Sequence, residues 1–403
     1  MYNGAMKILS IILPGLLVAA TGVGAGDLIT GAMAGHHLGL LLWIPLLGAL
    51  LKYILTEGIA RYQYATEETL VRGLMHHLGN GFKIPFLLYL IIWSFMVGGA
   101  LINAVGSSMQ SMVPITHGKV IYGCSLSLFT IFLLKVGKYQ LFERLMTILI
   151  GVMFITVIGT SFTFIDQPAE LLNELLDFET KTFTNPWFLG VLGGVGGTLT
   201  ILCYGYWINE SQRKGKEGLQ VSRIDLAVSY FLTGLFSVSM MILGSKLPSI
   251  NKAGSLFVQQ ISELFTSSLG PSGEYIFKLG FFCGVYSSLL GVWQSIPYLF
   301  ADLYSAHTKK KYKDLKKTKA YQIALYTIAI IPMISMTIKF QVIQLLYAVT
   351  GALFIPICAV SLIFLNNDKK RGEFKNSVGT NIGLFLILLF FITYGIRLVA
   401  QKF

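Results

Sequence analysis

Long apolar runs separated by short polar segments make up almost the whole chain. A helix that crosses the hydrocarbon core of a membrane needs about 20 mostly apolar residues. Such runs are predicted to be α-helices, because a helix satisfies its backbone hydrogen bonds within its own segment. The eleven predicted spans, numbered 1 to 11 in chain order, are Ile11–Gly35, Leu38–Arg61, Ile84–Met112, Val120–Val136, Leu141–Phe164, Trp187–Asn209, Asp225–Leu247, Tyr275–Tyr304, Tyr321–Ile338, Val342–Leu365 and Asn381–Ala400.

Two of these spans contain sequence that weakens a helix. In span 1, Gly22, Gly24 and Gly26 lie directly before Asp27. Each glycine costs a helix roughly 1 kcal/mol relative to alanine, and a carboxylate at the centre of a membrane costs at least ~2.5 kcal/mol. Span 6 carries the glycine-rich stretch Gly193–Gly197. Glycines there are read either as a second break or as small residues for close helix packing.

The two interrupted spans are five spans apart, which predicts an inverted repeat of five helices. Residues 11–164 then form the first repeat, residues 187–365 the inverted second repeat, and residues 381–400 an extra helix. The expected fold is an all-α integral membrane protein with 11 transmembrane helices in one domain, residues 1–403. Secondary transporters with this arrangement bind their substrate where the helices are broken.

Composition and charge support a membrane protein. The chain is 54% hydrophobic and 12% charged, with a formal net charge of +12. Of its 31 Lys and Arg residues, 22 fall on the side of the N-terminus, eight on the opposite side, and Lys52 lies within span 2. We call the first side the basic side. The positive-inside rule predicts that it is cytoplasmic, with the N-terminus inside, the C-terminus outside and the cytoplasmic (inner) membrane as the location.

This charge pattern also bears on partners and on enzymatic activity. Positive charge placed between apolar spans favours the lipid bilayer over nucleic acid as the partner. The sequence has no phosphate-binding G-x-x-x-x-G-K-[ST] motif, so neither an ATP-driven pump nor another enzyme is predicted, and no cofactor is expected. All four cysteines fall within spans, which predicts no disulfide framework. The oligomeric state is left open.

Motifs in three spans resemble those of one known family. Span 1 runs from Pro14-Gly15 to Ala34-Gly35, span 2 contains Ala60–Thr66, and span 8 contains Ser287–Gly291 followed by Ala301-Asp302-Leu303. In these features the chain resembles the Nramp-type divalent-metal transporters. The resemblance implies a LeuT-like fold within the amino acid–polyamine–organocation superfamily.

The chain departs from that family at the positions that matter for a metal. The family's Asp-Pro-Gly-Asn break corresponds to Gly24-Ala25-Gly26-Asp27, and its span 6 Met-Pro-His to Cys203, Tyr204 and Gly205. Asn103 replaces an acid on the family's proton path in span 3, and only Thr350 is polar at its ligand position in span 10. Coupling to protons is therefore in doubt.

The substrate-binding candidates come from both breaks. They are Gly24, Ala25, Asp27, Leu202, Cys203, Gly205 and Tyr206. Asp27 and Cys203 are the candidate metal ligands, since carboxylate, thiolate and freed carbonyl groups bind divalent ions. Asp27 is alternatively a helix cap, and Cys203 a small buried apolar residue. Tyr206 either packs the core or contributes to an aromatic wall around an organic cation.

Three further polar residues are candidates for gating or coupling. Glu57 and Arg61 are four residues apart on one face of span 2, which predicts a local ion pair or an inner gate. Asn103 is the candidate in span 3. Lys52, about one and a half turns before Glu57, either extends towards the membrane surface or pairs with a carboxylate.

Three functional hypotheses follow. The first is a secondary transporter that moves a cation, in particular a divalent metal ion, by alternating access. The second is a transporter of the same fold that takes a small organic solute, an amine or an amino acid. The third is a membrane sensor or scaffold that transports nothing.

Overall fold

The computed structural model describes residues 25–137, 139–165, 183, 185–247, 254–308 and 314–400. These residues are almost all helical, and nine of the described helices are long and apolar enough to cross a membrane. The spans 2, 3, 4, 7, 8 and 11 are the helices Trp43–Thr66, Asn80–Met112, Gly118–Val136, Gly215–Ser245, Pro271–Thr308 and Val378–Ala400. Each helix covers most of its predicted span. Spans 3, 4, 8 and 11 begin before the predicted residue, whereas span 2 is displaced towards the C-terminus and span 7 towards the N-terminus.

Span 1 is described from Ala25 onward. A π-helical turn, Ala25–Thr30, contains Asp27 and leads into the α-helix Gly31–Leu38. The segment before it, including Gly22 and Gly24, lies outside the described residues. Span 5 forms the helix Tyr139–Ser161, which ends in one 3₁₀ turn.

Span 6 is interrupted, as its glycines predict. The helix Pro186–Gly194 begins with Asn185, whose side chain accepts a hydrogen bond from the amide of Trp187. It is followed by four irregular residues, a 3₁₀ segment at Leu199–Cys203 and the short helix Tyr204–Glu210. The span therefore consists of two half-helices joined by non-helical backbone.

Spans 9 and 10 are less regular than expected. Span 9 is the helix Lys319–Ile330 and then a 3₁₀ segment, Ile331–Thr337. Pro332 accounts for the change, because proline lacks the amide that an α-helix needs. Span 10 divides at Leu353 into the helices Phe340–Ala352 and Phe354–Asn366.

Two helices were not predicted because they are too short or too polar to span a membrane. Leu70–Leu78 lies on the basic side, and the hydroxyl of Thr69 caps it by accepting from the amide of Arg72. Ser255–Leu269 connects spans 7 and 8.

Span 6 forms the centre of the protein. In its apolar window 94% of the residues are buried, against 22% for span 4 and 17% for span 11. Spans 1, 2, 8 and 10 pack around it, while the apolar side chains of the outer spans are exposed. The outer apolar faces suit contact with lipid, and the two interrupted spans meet in the interior.

Candidate functional site

The broken parts of spans 1 and 6 touch through glycines. A Cβ atom on Gly26 would lie 2.9 Å from the carbonyl oxygen of Gly194, and one on Gly194 would lie 2.9 Å from the hydroxyl of Thr30. That hydroxyl in turn donates to the carbonyl of Gly26. Larger residues would separate the two backbones, so these glycines bring the π-helical turn against the end of the first half of span 6.

The backbone of the span 6 break also depends on glycine. Gly196 and Gly197 have φ of +67° and +87°, a region in which residues with a Cβ are strained. At Gly196 a Cβ would in addition lie 2.7 Å from the ring of Tyr230. The break leaves carbonyl oxygens without helical partners at the centre of the protein.

Asp27 lies at this meeting point and is fully buried. Neither of its carboxylate oxygens has a hydrogen-bond partner among the described residues. The Lys52 ammonium, the Gly196 amide and the Ser237 hydroxyl face the carboxylate, but none reaches hydrogen-bonding geometry. An unsatisfied buried carboxylate is costly, and the arrangement is typical of a site that receives a ligand.

Lys52, in span 2, is also fully buried. Its ammonium donates to the carbonyl oxygens of Gly193, at 3.0 Å, and of Gly197. These two carbonyls flank the span 6 break. Of the two sequence-based interpretations of Lys52, extension to the surface is wrong, because the ammonium is held in the interior beside Asp27.

Further polar groups near the break have unused hydrogen-bonding capacity. The hydroxyls of Thr198, Thr200 and Ser237 are buried and lack a hydrogen-bond partner among the described residues. The Tyr347 hydroxyl of span 10 would lie 3.4 Å from a Cβ on Gly26, and it faces both Asp27 and Thr198. Oxygen atoms of spans 6, 7 and 10 therefore lie around the Asp27 carboxylate.

The other span 6 candidates have partners on the basic side of the break. Cys203 is buried, and its thiol donates to the carbonyl of Ser295 in span 8 at 3.4 Å. Leu202 is buried as well. A Cβ on Gly205 would lie 2.9 Å from the side-chain oxygen of Gln63 in span 2. These contacts point towards spans 2 and 8 rather than towards Asp27.

Tyr206 and its aromatic neighbour participate in the same packing. The Tyr206 hydroxyl donates to Asp302 at 2.9 Å, and its ring stacks on Tyr298 with 5.0 Å between centroids. No group of three or more His, Cys, Asp or Glu residues that could hold a metal occurs in the described part of the chain. Of the span 1 candidates, Gly24 lies outside the described residues, and Ala25 begins the π-helical turn.

Ion pairs with buried carboxylates lie on the basic side of the breaks. Glu57 pairs with Arg61 within span 2 and with Arg223 of span 7 at 2.9 Å. Arg61 also donates to the side-chain oxygen of Asn376, before span 11, at 3.2 Å. The pair is therefore more than a local one, because it joins three segments. The sequence did not single out Arg223 and Asn376, since both lie in polar flanks without a recognisable motif.

A second set of ion pairs and hydrogen bonds on the basic side surrounds Asp302, near the end of span 8. Its carboxylate pairs with Arg72 at 2.5 Å and accepts from the hydroxyl of Thr69, also at 2.5 Å. Arg213 and Asp225 form another pair at 3.2 Å. Thr69, Arg72 and Asp302 line a polar cavity of ≈ 410 Å³ on the basic side.

Asn103 is buried, but its contacts are with span 9. The side-chain amide donates to the carbonyl of Gly99 at 2.9 Å and to that of Ser335 at 3.4 Å. Its side-chain oxygen has no hydrogen-bond partner among the described residues. The residue thus links span 3 to the 3₁₀ segment of span 9, and its role in coupling stays a prediction.

Comparison with known proteins gives the family. The natural resistance-associated macrophage protein-like (Nramp) family matches residues 15–401. A divalent metal cation transporter, MntH, of Staphylococcus saprophyticus is 22% identical over 424 aligned residues, which cover 99% of this chain and 93% of that protein. Both matches extend over nearly the whole chain.

Solved structures show the same fold. A manganese transporter of Eremococcus coleocola, in complex with an aromatic bis-isothiourea compound, superposes with a TM-score of 0.70 at 15% identity, over 100% of this chain and 88% of that one. MhsT in complex with L-phenylalanine gives a TM-score of 0.65 at 12% identity, over 96% of this chain and 98% of its own. The predicted fold class is confirmed, and this chain belongs to the Nramp family of multi-pass membrane transporters.

Proposed function

We propose that this Nramp-family transporter moves a divalent metal cation by alternating access and binds it at Asp27, between the interrupted spans 1 and 6. The observation that carries the proposal is the Asp27 carboxylate, which is buried beside the freed carbonyls of span 6 and has no hydrogen-bond partner among the described residues. Carboxylate and carbonyl oxygens are ligands that divalent cations accept. The Staphylococcus relative is named a divalent metal cation transporter, and this supports the choice of substrate.

The closed basic side fits one state of such a cycle. Alternating access requires that one side be sealed while the other opens. On the basic side of the breaks, the Glu57 ion pairs join span 2 to span 7, and the Asp302 ion pair joins span 8 to the Leu70–Leu78 helix. Glu57 and Arg61 are therefore proposed as parts of a gate that must separate before a cation can leave on that side.

The basic side is proposed to face the cytoplasm. The excess of Lys and Arg on this side, 22 against eight, supports this orientation through the positive-inside rule. It places the N-terminus inside and the C-terminus outside the cytoplasmic membrane.

The proposal is tested by uptake of Mn²⁺ into proteoliposomes that contain the purified protein. Asp27→Asn keeps the shape of the side chain and removes its charge, and we expect at least about a tenfold loss of uptake, because the remaining ligands are neutral. The matched control is Asp368→Asn, since Asp368 lies in an exposed turn and accepts from the amide of Lys370. Equal uptake by the Asp27→Asn variant and the wild type would refute a metal site at Asp27.

A small organic ammonium is the second candidate substrate. The observation that favours it is that Asp27 does not belong to any group of three metal-binding side chains within the described residues. A single carboxylate suffices for an amine or an amino acid. Uptake of labelled amines and amino acids into the same proteoliposomes, with no uptake of Mn²⁺, would select this candidate. Uptake of neither class would favour a membrane sensor.

A further inference from the structure

Lys52 lies where a transported cation would be expected. In transporters with interrupted helices, carbonyl oxygens released by unwinding coordinate cations. Here the carbonyls of Gly193 and Gly197 receive hydrogen bonds from the Lys52 ammonium. The chain therefore already supplies a positive charge to this part of the break.

The position of the ammonium is set by packing on several sides. Span 2 approaches the break closely, since a Cβ on Gly48 would lie 3.3 Å from the Cβ of Val195. One turn after Lys52, the Thr56 hydroxyl bonds with that of Tyr230 at 2.6 Å. Asp27 of span 1 and Cys358 of span 10 are the ionisable groups that face the ammonium. The surrounding spans therefore hold the Lys52 side chain in place inside the site.

The charges at the site balance when Lys52 is in place. When both groups are ionised, Asp27 contributes one negative charge and Lys52 one positive charge. A divalent cation added to this arrangement would bring two positive charges that no further buried acid in the cluster compensates. Repulsion between like charges is strong in a buried environment, where water screens them poorly.

We propose that the Lys52 ammonium is a tethered cation that occupies a cation position in the span 6 break. On this proposal, which rests on cation binding at Asp27, a substrate cation reaches the Gly193 and Gly197 carbonyls only after Lys52 withdraws. Lys52 is then a specificity-determining residue, because its charge opposes divalent cations and its hydrogen bonds hold the break closed. Binding of substrate and withdrawal of Lys52 form one event.

The first test measures Mn²⁺ binding to the purified full-length protein by isothermal titration calorimetry. Lys52→Met removes the charge at similar length, and we expect Mn²⁺ to bind this variant about tenfold more tightly than the wild type, or better. Lys52→Arg keeps the charge and should not gain affinity. Unchanged or weaker binding to Lys52→Met would overturn the proposal.

The second test does not depend on metal binding. Lys52→Ala leaves the two carbonyls without their donor, so we expect a lower thermal unfolding temperature than that of the wild type. Ethylammonium chloride should restore part of the loss by refilling the position, whereas choline chloride at the same concentration should not, because its nitrogen has no N–H donor. If Lys52→Ala unfolds at the wild-type temperature, or if the two salts act equally, the Lys52 ammonium does not fill a cation position in the span 6 break.

These experiments separate the two proposals. If Asp27→Asn leaves Mn²⁺ uptake intact, the metal-binding function fails, and the ethylammonium result still decides whether Lys52 fills a cation position. If Asp27→Asn abolishes uptake but Lys52→Met gains no affinity, the function stands and the tethered cation fails.

Discussion

At the scale of single residues, the centre of the protein depends on glycines that no other residue can replace. Gly196 combines a positive φ with a close approach to the ring of Tyr230. Gly26 and Gly194 let two backbones touch. The break therefore depends on glycines, which have no side chain. The backbone around these glycines positions the oxygen atoms of the site.

Gly196→Ala is expected to impair transport as well as stability. The left-handed backbone alone costs about 1–2 kcal/mol for a residue with a Cβ, and the contact with Tyr230 adds to this cost and displaces the break. Thermal unfolding and Mn²⁺ uptake per folded protein are the measurements. Gly215→Ala is the matched control, because Gly215 has φ of +63° and open space around a Cβ.

Both variants should unfold at lower temperature, but only Gly196→Ala should lose uptake. If Gly215→Ala reduced uptake to the same extent, the loss would reflect general instability, and the special role of the span 6 break would be refuted.

At the scale of helices, span 1 is anchored by very close contact with span 7. A Cβ on Gly35 would lie 2.0 Å from the carbonyl oxygen of Met241, and one on Gly244 would lie 2.0 Å from that of Ala32. Small residues that allow such contacts are a common basis of helix association in membranes. The contact holds the helical part of span 1 next to the π-helical turn that carries Asp27.

Gly244→Ala is expected to destabilise the protein by about 1–3 kcal/mol, because the added methyl group meets backbone that cannot move independently. Thermal unfolding in detergent measures the effect. In the control Gly395→Ala, in span 11, no atom lies within 4 Å of the added Cβ. That change should be neutral or slightly stabilising, since alanine favours a helix. Equal shifts for both variants would contradict this account of the contact.

At the scale of the whole molecule, the ion pairs of the basic side are proposed to hold one conformation. Removing one partner of a buried pair leaves the other charge uncompensated, which costs far more than losing an exposed pair. Glu57 is 6% exposed and pairs with two arginines. The exposed pair Lys216–Glu373 provides a comparison on the same side.

Glu57→Gln is therefore expected to shift the protein towards a state that is open on the basic side. Cys203, which is fully buried below the break, should then react with N-ethylmaleimide about five times faster or more, as a coupling of 1–3 kcal/mol implies. The measurement uses a background in which Cys124, Cys283 and Cys358 are alanine.

Glu373→Gln is the control in that background and should leave the rate of labelling unchanged. If the two variants labelled at the same rate, the Glu57 pairs would not control opening of the basic side.

Much of the candidate site could be foreseen and part of it could not. The break in span 6 and the acid in span 1 were predicted because glycine and a membrane-embedded carboxylate are costly wherever they occur. The position of Cys203 against Ser295 of span 8, and the link from Glu57 to Arg223, were not. Each contact depends on how one helix is rotated about its axis relative to another. A step of one residue along a helix turns the side-chain direction by about 100°.

The sequence by itself therefore determined the apolar nature of the spans and where they lie along the chain, the excess of positive charge on one side, and the resemblance to the Nramp family. These properties follow from local composition, because the membrane requires long apolar helices and penalises buried charge. Only the tertiary structure decided that Asp27 lacks a hydrogen-bond partner among the described residues and that Lys52 reaches Gly193, 141 residues away, and Gly197. Those facts arise from the packing of distant helices, and the cation specificity proposed for the break rests on them.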